Sequence, residues 1–220
     1  MLSPLDTVHN LTYCCKVSPC GRFVATSGFT PDVKVWEVKF SRSGEFDKVT
    51  RAFDLTGHSS GVYSFSFSAD SGRMATVSKD GTWKVFDTAV EYSKGQDPTV
   101  MMSGSYTWDS SIPSMITISP DGAVVAISQD RNLVFYSVLT GECAGTVAGL
   151  HTEPVTQLVF SSDSQLVVTG GDKHVRVLHN VPGNRSKIQV RCNTSVNNWA
   201  DLEIILSFLV AWLSCQKISA

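Results

Sequence analysis

Hydrophobic and polar positions alternate in several short stretches of this chain. The aromatic residues Tyr63, Phe65 and Phe67 alternate with serines, and this period of two places them on one face of a β-strand. Residues 124–127 form an unbroken apolar run, which is typical of a strand buried on both faces. Asp-Gly pairs at 80–81 and 121–122 lie between apolar runs and predict hairpin turns. No stretch of helical length with a period of 3.6 precedes residue 196. The pattern therefore predicts an all-β fold.

The chain repeats this pattern four times. Each unit has an alternating strand, a serine-led turn, a second strand, a polar turn and a third strand that ends in a large apolar residue. The units cover about 9–38, 57–88, 110–138 and 150–180. Their polar-turn aspartates Asp32, Asp80, Asp130 and Asp172 are 48, 50 and 42 residues apart. One four-stranded propeller blade needs roughly 40–45 residues. The excess falls at about 39–52 and 88–110, where we expect loops.

These repeats resemble those of the WD40 family. Gly57-His58 opens the second unit, Phe86-Asp87 stands where that family has Trp-Asp, and Trp36-Glu37 takes the same place in the first unit. The resemblance implies a partial β-propeller of about four blades over residues 1–184, with four antiparallel strands in each blade. It also implies that a histidine, a strand Ser or Thr, the turn aspartate and the terminal aromatic form a buried hydrogen-bonded network in each blade. The residues carried over to it are His58, Ser78, Asp80, Phe86, His151, Thr169, Asp172 and Trp36.

A hydrolase is the alternative interpretation of the same side chains, with Ser78 as nucleophile, His58 as base and Asp80 as its orienting carboxylate. Recurrence argues against it, because an enzyme needs its triad once, whereas a folding device is needed in every blade. No Gly-x-Ser-x-Gly turn surrounds Ser78. We therefore predict a protein that is not an enzyme and has no catalytic residues.

Composition limits the classes of partner that the chain is expected to bind. The net charge is −2, so no basic excess favours DNA. None of the six cysteines forms a Cys-x-x-Cys pair, and no metal or cofactor is predicted. We expect protein partners. The loop around Tyr106 and Trp108 is a candidate contact site, because exposed aromatic residues often anchor interfaces.

One branch of the family is especially similar in residues 32–38, 82–88 and 171–177. That resemblance implies an adaptor at the endoplasmic reticulum. It also implies association with the stress-activated kinase that phosphorylates a translation initiation factor. The N-terminal residues do not resemble a signal peptide, so the sequence alone predicts a cytoplasmic location.

The tail, 185–220, departs from the repeat pattern. Residues 186–191 alternate and could add an outer strand, and the apolar segment 202–213 could form a short helix. A membrane helix needs about twenty residues, so a membrane-tethered adaptor is a lesser alternative. Four blades of an incomplete propeller would also leave unpaired faces at both ends, and we therefore expect self-association.

Overall fold

The structure is a computed structural model that describes residues 10–106 and 112–179, and the backbone of residues 194–195. In this part of the chain, sixteen strands form four antiparallel sheets of four strands each. The strands of the first two sheets are β1 (Thr12–Val17), β2 (Phe23–Gly28), β3 (Val33–Phe40), β4 (Phe46–Leu55), β5 (Val62–Phe67), β6 (Arg73–Ser78), β7 (Thr82–Asp87) and β8 (Thr99–Ser105). The strands of the other two are β9 (Ile116–Ile118), β10 (Val124–Gln129), β11 (Asn132–Ser137), β12 (Cys143–Val147), β13 (Gln157–Phe160), β14 (Leu166–Gly170), β15 (His174–His179) and β16 (Thr194–Ser195).

The four sheets are consecutive blades of a partial propeller. Within each sheet the strands follow chain order, and the first strands β1, β5, β9 and β13 contact one another in turn. These four strands therefore line the inner side of an arc. The all-β prediction is confirmed, and β10 is buried on both faces along most of its length, as its apolar run predicts.

Three apolar cores hold the blades together, one at each junction between neighbouring sheets. The first joins Val35 and Leu55 to Phe65 and Phe86. The second packs Trp83 of the second sheet against β9 and β10, and the third lies between the third and fourth sheets around Phe135. The second and third blades each contribute to two of these cores, so the burial of their apolar faces depends on both neighbours.

The antiparallel order divides the turns between two rims of the arc. We call the side that holds the β2–β3 and β6–β7 turns the first rim, and the side that holds the β1–β2 and β3–β4 turns the second rim. Neighbouring blades are also hydrogen-bonded at the second rim: Arg73 Nη1 donates to the Gly122 carbonyl oxygen at 3.0 Å, and the backbone amide of Cys20 donates to Ser71 Oγ at 3.2 Å.

The two long connections are more ordered than the sequence suggests. Residues 39–52, expected to be a loop, are largely the extended hairpin of β3 and β4, because strand pairing continues as far as Phe40 opposite Phe46. Residues 88–110, also expected to be a loop, contain a 3₁₀ helix, Tyr92–Lys94, followed by β8. Both expectations were wrong because these segments supply the outer strands of the first two sheets.

Most of the tail lies outside the described residues, including the alternating stretch 186–191 and the apolar segment 202–213. The outer strand of the fourth sheet is β16, which pairs with His174 and Val175. Among the residues with a described structure, no helix is long and apolar enough to cross a bilayer.

Candidate functional site

A buried polar network lies at the first rim of the second sheet. His58 precedes β5, Thr76 lies in the middle of β6, and Asp80 and Thr82 flank the turn into β7. His58 Nε2 is 2.7 Å from Thr76 Oγ1, and His58 Nδ1 is 3.0 Å from Asp80 Oδ2. The Thr82 hydroxyl donates to Asp80 Oδ1 at 2.6 Å and lies 3.1 Å from His58 Nδ1. The four side chains tie the entry loop of the blade to its central hairpin, and we call them the second-sheet network.

The partners of the imidazole constrain its proton positions. A carboxylate can only accept hydrogen bonds, so the Nδ1–H of His58 donates to Asp80, and in a neutral ring Nε2 then accepts from the Thr76 hydroxyl. Burial lowers the pKa of His58, and attraction to Asp80 only partly opposes this shift. Burial alone would raise the pKa of Asp80, but hydrogen bonds from the Thr82 hydroxyl and the Ser59 amide lower it to about 2. The network therefore holds a neutral histidine beside an ionised aspartate.

Two glycines allow the entry loop to reach this position. Gly57 has φ +119°, a conformation that side-chain-bearing residues rarely adopt. A Cβ on Gly61 would lie 2.9 Å from the Gly28 carbonyl oxygen of the first blade. The loop thus passes close to the neighbouring blade while His58 turns inward.

Ser78 does not take the place that the sequence predicts for it. Its hydroxyl donates to the carbonyl oxygens of Ser60 and Gly61, each at 3.0 Å, and the residue that bonds to His58 is Thr76. The hydrolase arrangement, with Ser78 facing His58, is therefore not present. Thr76 is 0% exposed, so a substrate has no path to its hydroxyl.

Phe86 takes no part in this network, because its ring has no hydrogen-bond donor or acceptor. It pairs with Met74 across the sheet and packs into the core between the first and second blades. Thr82, which the sequence did not single out, supplies the extra hydrogen bonds to Asp80.

The fourth sheet contains the same arrangement. His151 Nε2 is 2.9 Å from Thr169 Oγ1, and His151 Nδ1 is 3.0 Å from Asp172 Oδ1. Burial opposes ionisation of Asp172, but bonds from the Thr152 amide, His151 and the Thr152 hydroxyl hold the pKa of that carboxyl well below its usual range. Gly171 makes room for the ring, since a Cβ there would lie 2.7 Å from His151 Cγ. His151, Thr169 and Asp172 form the fourth-sheet network.

The first and third sheets differ at these positions. Trp36 is buried opposite Val24, and the Arg51 guanidinium lies 5.2 Å from its ring centroid. Asp32 forms an ion pair with Lys34. In the third sheet, Ile127 holds the strand position that Thr76 holds in the second, and Asp130 bonds to the neighbouring Arg131 at 3.1 Å.

Thr76 could have been found by counting from the turn serine instead of the aspartate. Thr26, Thr76, Ile127 and Thr169 each follow the serine that opens the first turn by eight residues. Thr76 precedes Asp80 by four residues, whereas Thr169 precedes Asp172 by three. This difference arises in the second turn, since the last paired residues are Val77 and Trp83 in one blade and Gly170 and Val175 in the other.

The predicted contact loop is only partly described. Tyr106 is 7% exposed and its hydroxyl donates to the Ser78 carbonyl oxygen at 2.8 Å. Burial raises the pKa of Tyr106 to about 12. Tyr106 therefore supports the β6–β7 turn and does not present its ring to a partner. Trp108 lies outside the described residues.

Within residues 10–106 and 112–179, no group of three or more His, Cys, Asp or Glu side chains could hold a metal ion. Cys14, Cys15, Cys20 and Cys143 are free thiols.

Comparison with known proteins agrees with this architecture. The family described as WD domain, G-beta repeat matches residues 3–37, 49–87 and 141–178. The second and third matches begin in or just before an outer strand of the preceding sheet, β4 and β12. One sequence repeat therefore supplies the outer strand of one blade and the first three strands of the next, and so joins consecutive sheets covalently. The segment without a match contains most of the third blade, whose described residues form no histidine network.

The chain is also similar to transducin beta-like protein 2 of mouse, with 44% identity over 86% of this chain and 43% of that protein. The human protein of that name gives 44% identity over 86% of this chain and 42% of its own length. A fission yeast protein named target of rapamycin complex subunit wat1 is 22% identical over 71% of the chain and 45% of its own length. The chain thus spans less than half the length of these relatives. Together with the four-bladed fold, the repeat matches show that this chain belongs to the WD40 repeat family.

Proposed function

We propose that this chain is a protein-interaction scaffold that catalyses no reaction itself. WD40 propellers are typically non-catalytic platforms, and the polar networks here are buried inside the blades. The observation that supports the proposal most directly is an exposed apolar patch at the first rim.

The patch consists of Leu11, Tyr13 and Phe29, whose exposed fractions are 59%, 41% and 60%. The Phe29 amide donates to the Leu11 carbonyl oxygen at 2.9 Å, so two of its members are adjacent. The Tyr13 ring lies 5.9 Å from the ring of Tyr63 on the neighbouring inner strand. Apolar side chains grouped on the surface of a stable scaffold favour protein contacts, since their burial by a partner removes them from water.

By resemblance to the relatives described above, we propose further that the scaffold acts at the endoplasmic reticulum. Its partner there would be the stress-activated kinase that phosphorylates a translation initiation factor. Self-association through the end faces of the arc is a second proposal, because the outer faces of the first and fourth blades have no neighbouring blade among the described residues. The molar mass in solution, measured by light scattering, tests self-association.

Co-precipitation with the kinase tests the scaffold proposal. The double variant L11A/F29A should lose most of the recovered kinase and keep its melting temperature, because both side chains project into solvent. Leu139→Ala is the matched control, since Leu139 is 87% exposed on the second rim. Equal kinase recovery by both variants would show that the patch is not the binding surface. No recovery by the unmodified chain would show that the kinase is not a partner.

A further inference from the structure

The outer face of the fourth blade carries three valines in a row. Val159, Val168 and Val177 stand opposite one another on β13, β14 and β15, so their side chains project from the same face of the sheet. The residues that alternate with them, such as Leu158 and Val167, belong to the core shared with the third blade. The three valines, which we call the valine row, therefore point away from that blade.

The first three blades have an equivalent row and bury it against the blade that follows. Val168 is the seventh residue after the serine that opens the first turn, and an alanine takes this position in each of the other blades. With their partners on the third strands, these alanines form the pairs Ala25–Val35, Ala75–Val85 and Ala126–Phe135. Each pair belongs to a core that also contains residues of the next blade, and the alanines are 0% exposed. The row is therefore a surface of contact between blades.

In the fourth blade this surface is open. Val159 is 50% exposed, Val168 and Val177 are half-buried, and none of them belongs to the three cores that the described residues form. In the preceding blades an extended segment lies over the equivalent surface, because the inner strands β5 and β9 contact β2 and β6 of the sheet before them. The valine row thus matches an apolar segment in extended conformation.

The chain supplies such a segment at the expected distance. The outer strand of the fourth sheet, β16, ends at Ser195. In the preceding blades, the connections from an outer strand to the next inner strand have six, ten and nine residues, namely 56–61, 106–115 and 148–156. Residues 196–201 provide six, and the apolar segment 202–213 follows directly. A connection of six residues is long enough, because 56–61 makes the same step between the first two blades.

The sequence of the segment suits an extended conformation on an apolar surface. Every second position is apolar, namely Leu202, Ile204, Leu206, Phe208, Val210 and Trp212. The positions between them include Glu203 and Ser207. A period of two therefore gives the extended segment one wholly apolar face, and burying this face together with the valine row removes both from water.

We propose that the apolar segment 202–213 lies extended on the outer face of the fourth blade and covers the valine row. A six-residue connection holds the segment near the row at an effective concentration of about 1 mM, which favours it over a second copy of the chain. The segment then caps the arc, as terminal units do in other repeat proteins. Self-association would then use the outer face of the first blade.

Photo-crosslinking at one position of the full chain tests the proposal. Replacing Val159 with benzoylphenylalanine puts a photoreactive ring at the exposed edge of the row, and mass spectrometry of the digested products identifies its partners. We expect crosslinks to residues 202–213 in a product of monomer mass. Crosslinks in a product of dimer mass would show that a second copy covers the row. That result, or the absence of crosslinks, would overturn the proposal.

The same replacement at Leu139 is the matched control, because Leu139 is 87% exposed on the second rim of the third blade. It should give no crosslinks to residues 202–213. Equal crosslinking from both positions would show that the segment has no fixed place on the blades, and would overturn the proposal.

Two variants of the segment, each made in the chain with the photoreactive residue at position 159, test its orientation. L206D/F208D adds charge to the wholly apolar face and should lower the crosslink yield by about fivefold or more, because burying a charge is unfavourable. I205D/L209D adds the same charge to the other face and should keep most of the yield. Equal loss in both variants, or no loss in either, would contradict the proposed packing. Kinase recovery should be the same for both variants, since the apolar patch lies on the first blade, so this inference and the scaffold proposal can fail separately.

Discussion

At the residue scale, the two histidine networks show how a blade satisfies polar groups that it buries. His58 and His151 each place one ring nitrogen on a threonine of the second strand and the other on the turn aspartate. The third blade replaces the threonine with Ile127, which packs against the second sheet. This position in a blade can therefore hold either a fully hydrogen-bonded polar network or an apolar side chain. A partly bonded network would leave a buried polar group without a partner, which is destabilising.

Acid should weaken the second blade because burial lowers the pKa of His58 in the folded chain. The unfolded chain then binds a proton more readily, so stability falls as pH drops below the usual histidine value of 6.5. We expect the melting temperature to fall between about pH 7 and about pH 5, and to fall less in His58→Gln. Identical pH profiles for the two proteins would contradict this account of the histidine.

The Tyr106 hydroxyl should contribute to stability and not to partner binding. Tyr106→Phe removes the bond to the Ser78 carbonyl oxygen and should lower the free energy of unfolding by about 1 kcal/mol. Kinase recovery should be unchanged. Reduced recovery at an unchanged melting temperature would return Tyr106 to the contact surface.

At the element scale, the sequence predicted the strands well because period-two alternation and turn residues are local signals. It misplaced Ser78 and treated the two long connections as loops because strand register and pairing partners are not local. A difference of one residue in the turn between the second and third strands changes how many residues separate the turn aspartate from the threonine that bonds to the histidine. The contact of the 3₁₀ helix with the first blade was also beyond local signals, since it joins residues far apart in sequence, such as Arg22 and Tyr92.

Glycine positions test the close approaches between elements. Gly171→Ala would place a Cβ 2.7 Å from His151 Cγ and should lower the free energy of unfolding by about 1–3 kcal/mol. Gly145→Ala is the matched control, because a Cβ there has no atom within 4 Å. Chemical denaturation of both variants gives the comparison, and equal stability of the two would contradict the packing of His151 against Gly171.

At the scale of the whole molecule, we expect each blade to be stabilised by packing against its neighbours through three separate cores. Such an arrangement behaves as a row of neighbours in which each unit supports only the next. The exposed apolar patch lies on the first rim of this arc, away from the second rim.

A cavity in one core should therefore act locally. Phe65→Ala removes a ring that is 0% exposed between the first two blades, at an expected cost of about 3–5 kcal/mol. Hydrogen exchange followed by mass spectrometry should speed up most in the first and second sheets and least in the fourth. Uniform acceleration in all four sheets would show a single cooperative core instead.

The recurring histidines, threonines and aspartates stabilise a blade because their buried hydrogen bonds join its entry loop to its central hairpin. A double-mutant cycle on the free energy of unfolding, combining His58→Ala with Thr76→Val, tests this claim most directly. We predict a coupling of about 1 kcal/mol or more between these two residues, and a smaller one when Ser78→Ala replaces Thr76→Val. Strictly additive effects of His58→Ala and Thr76→Val would contradict the claim.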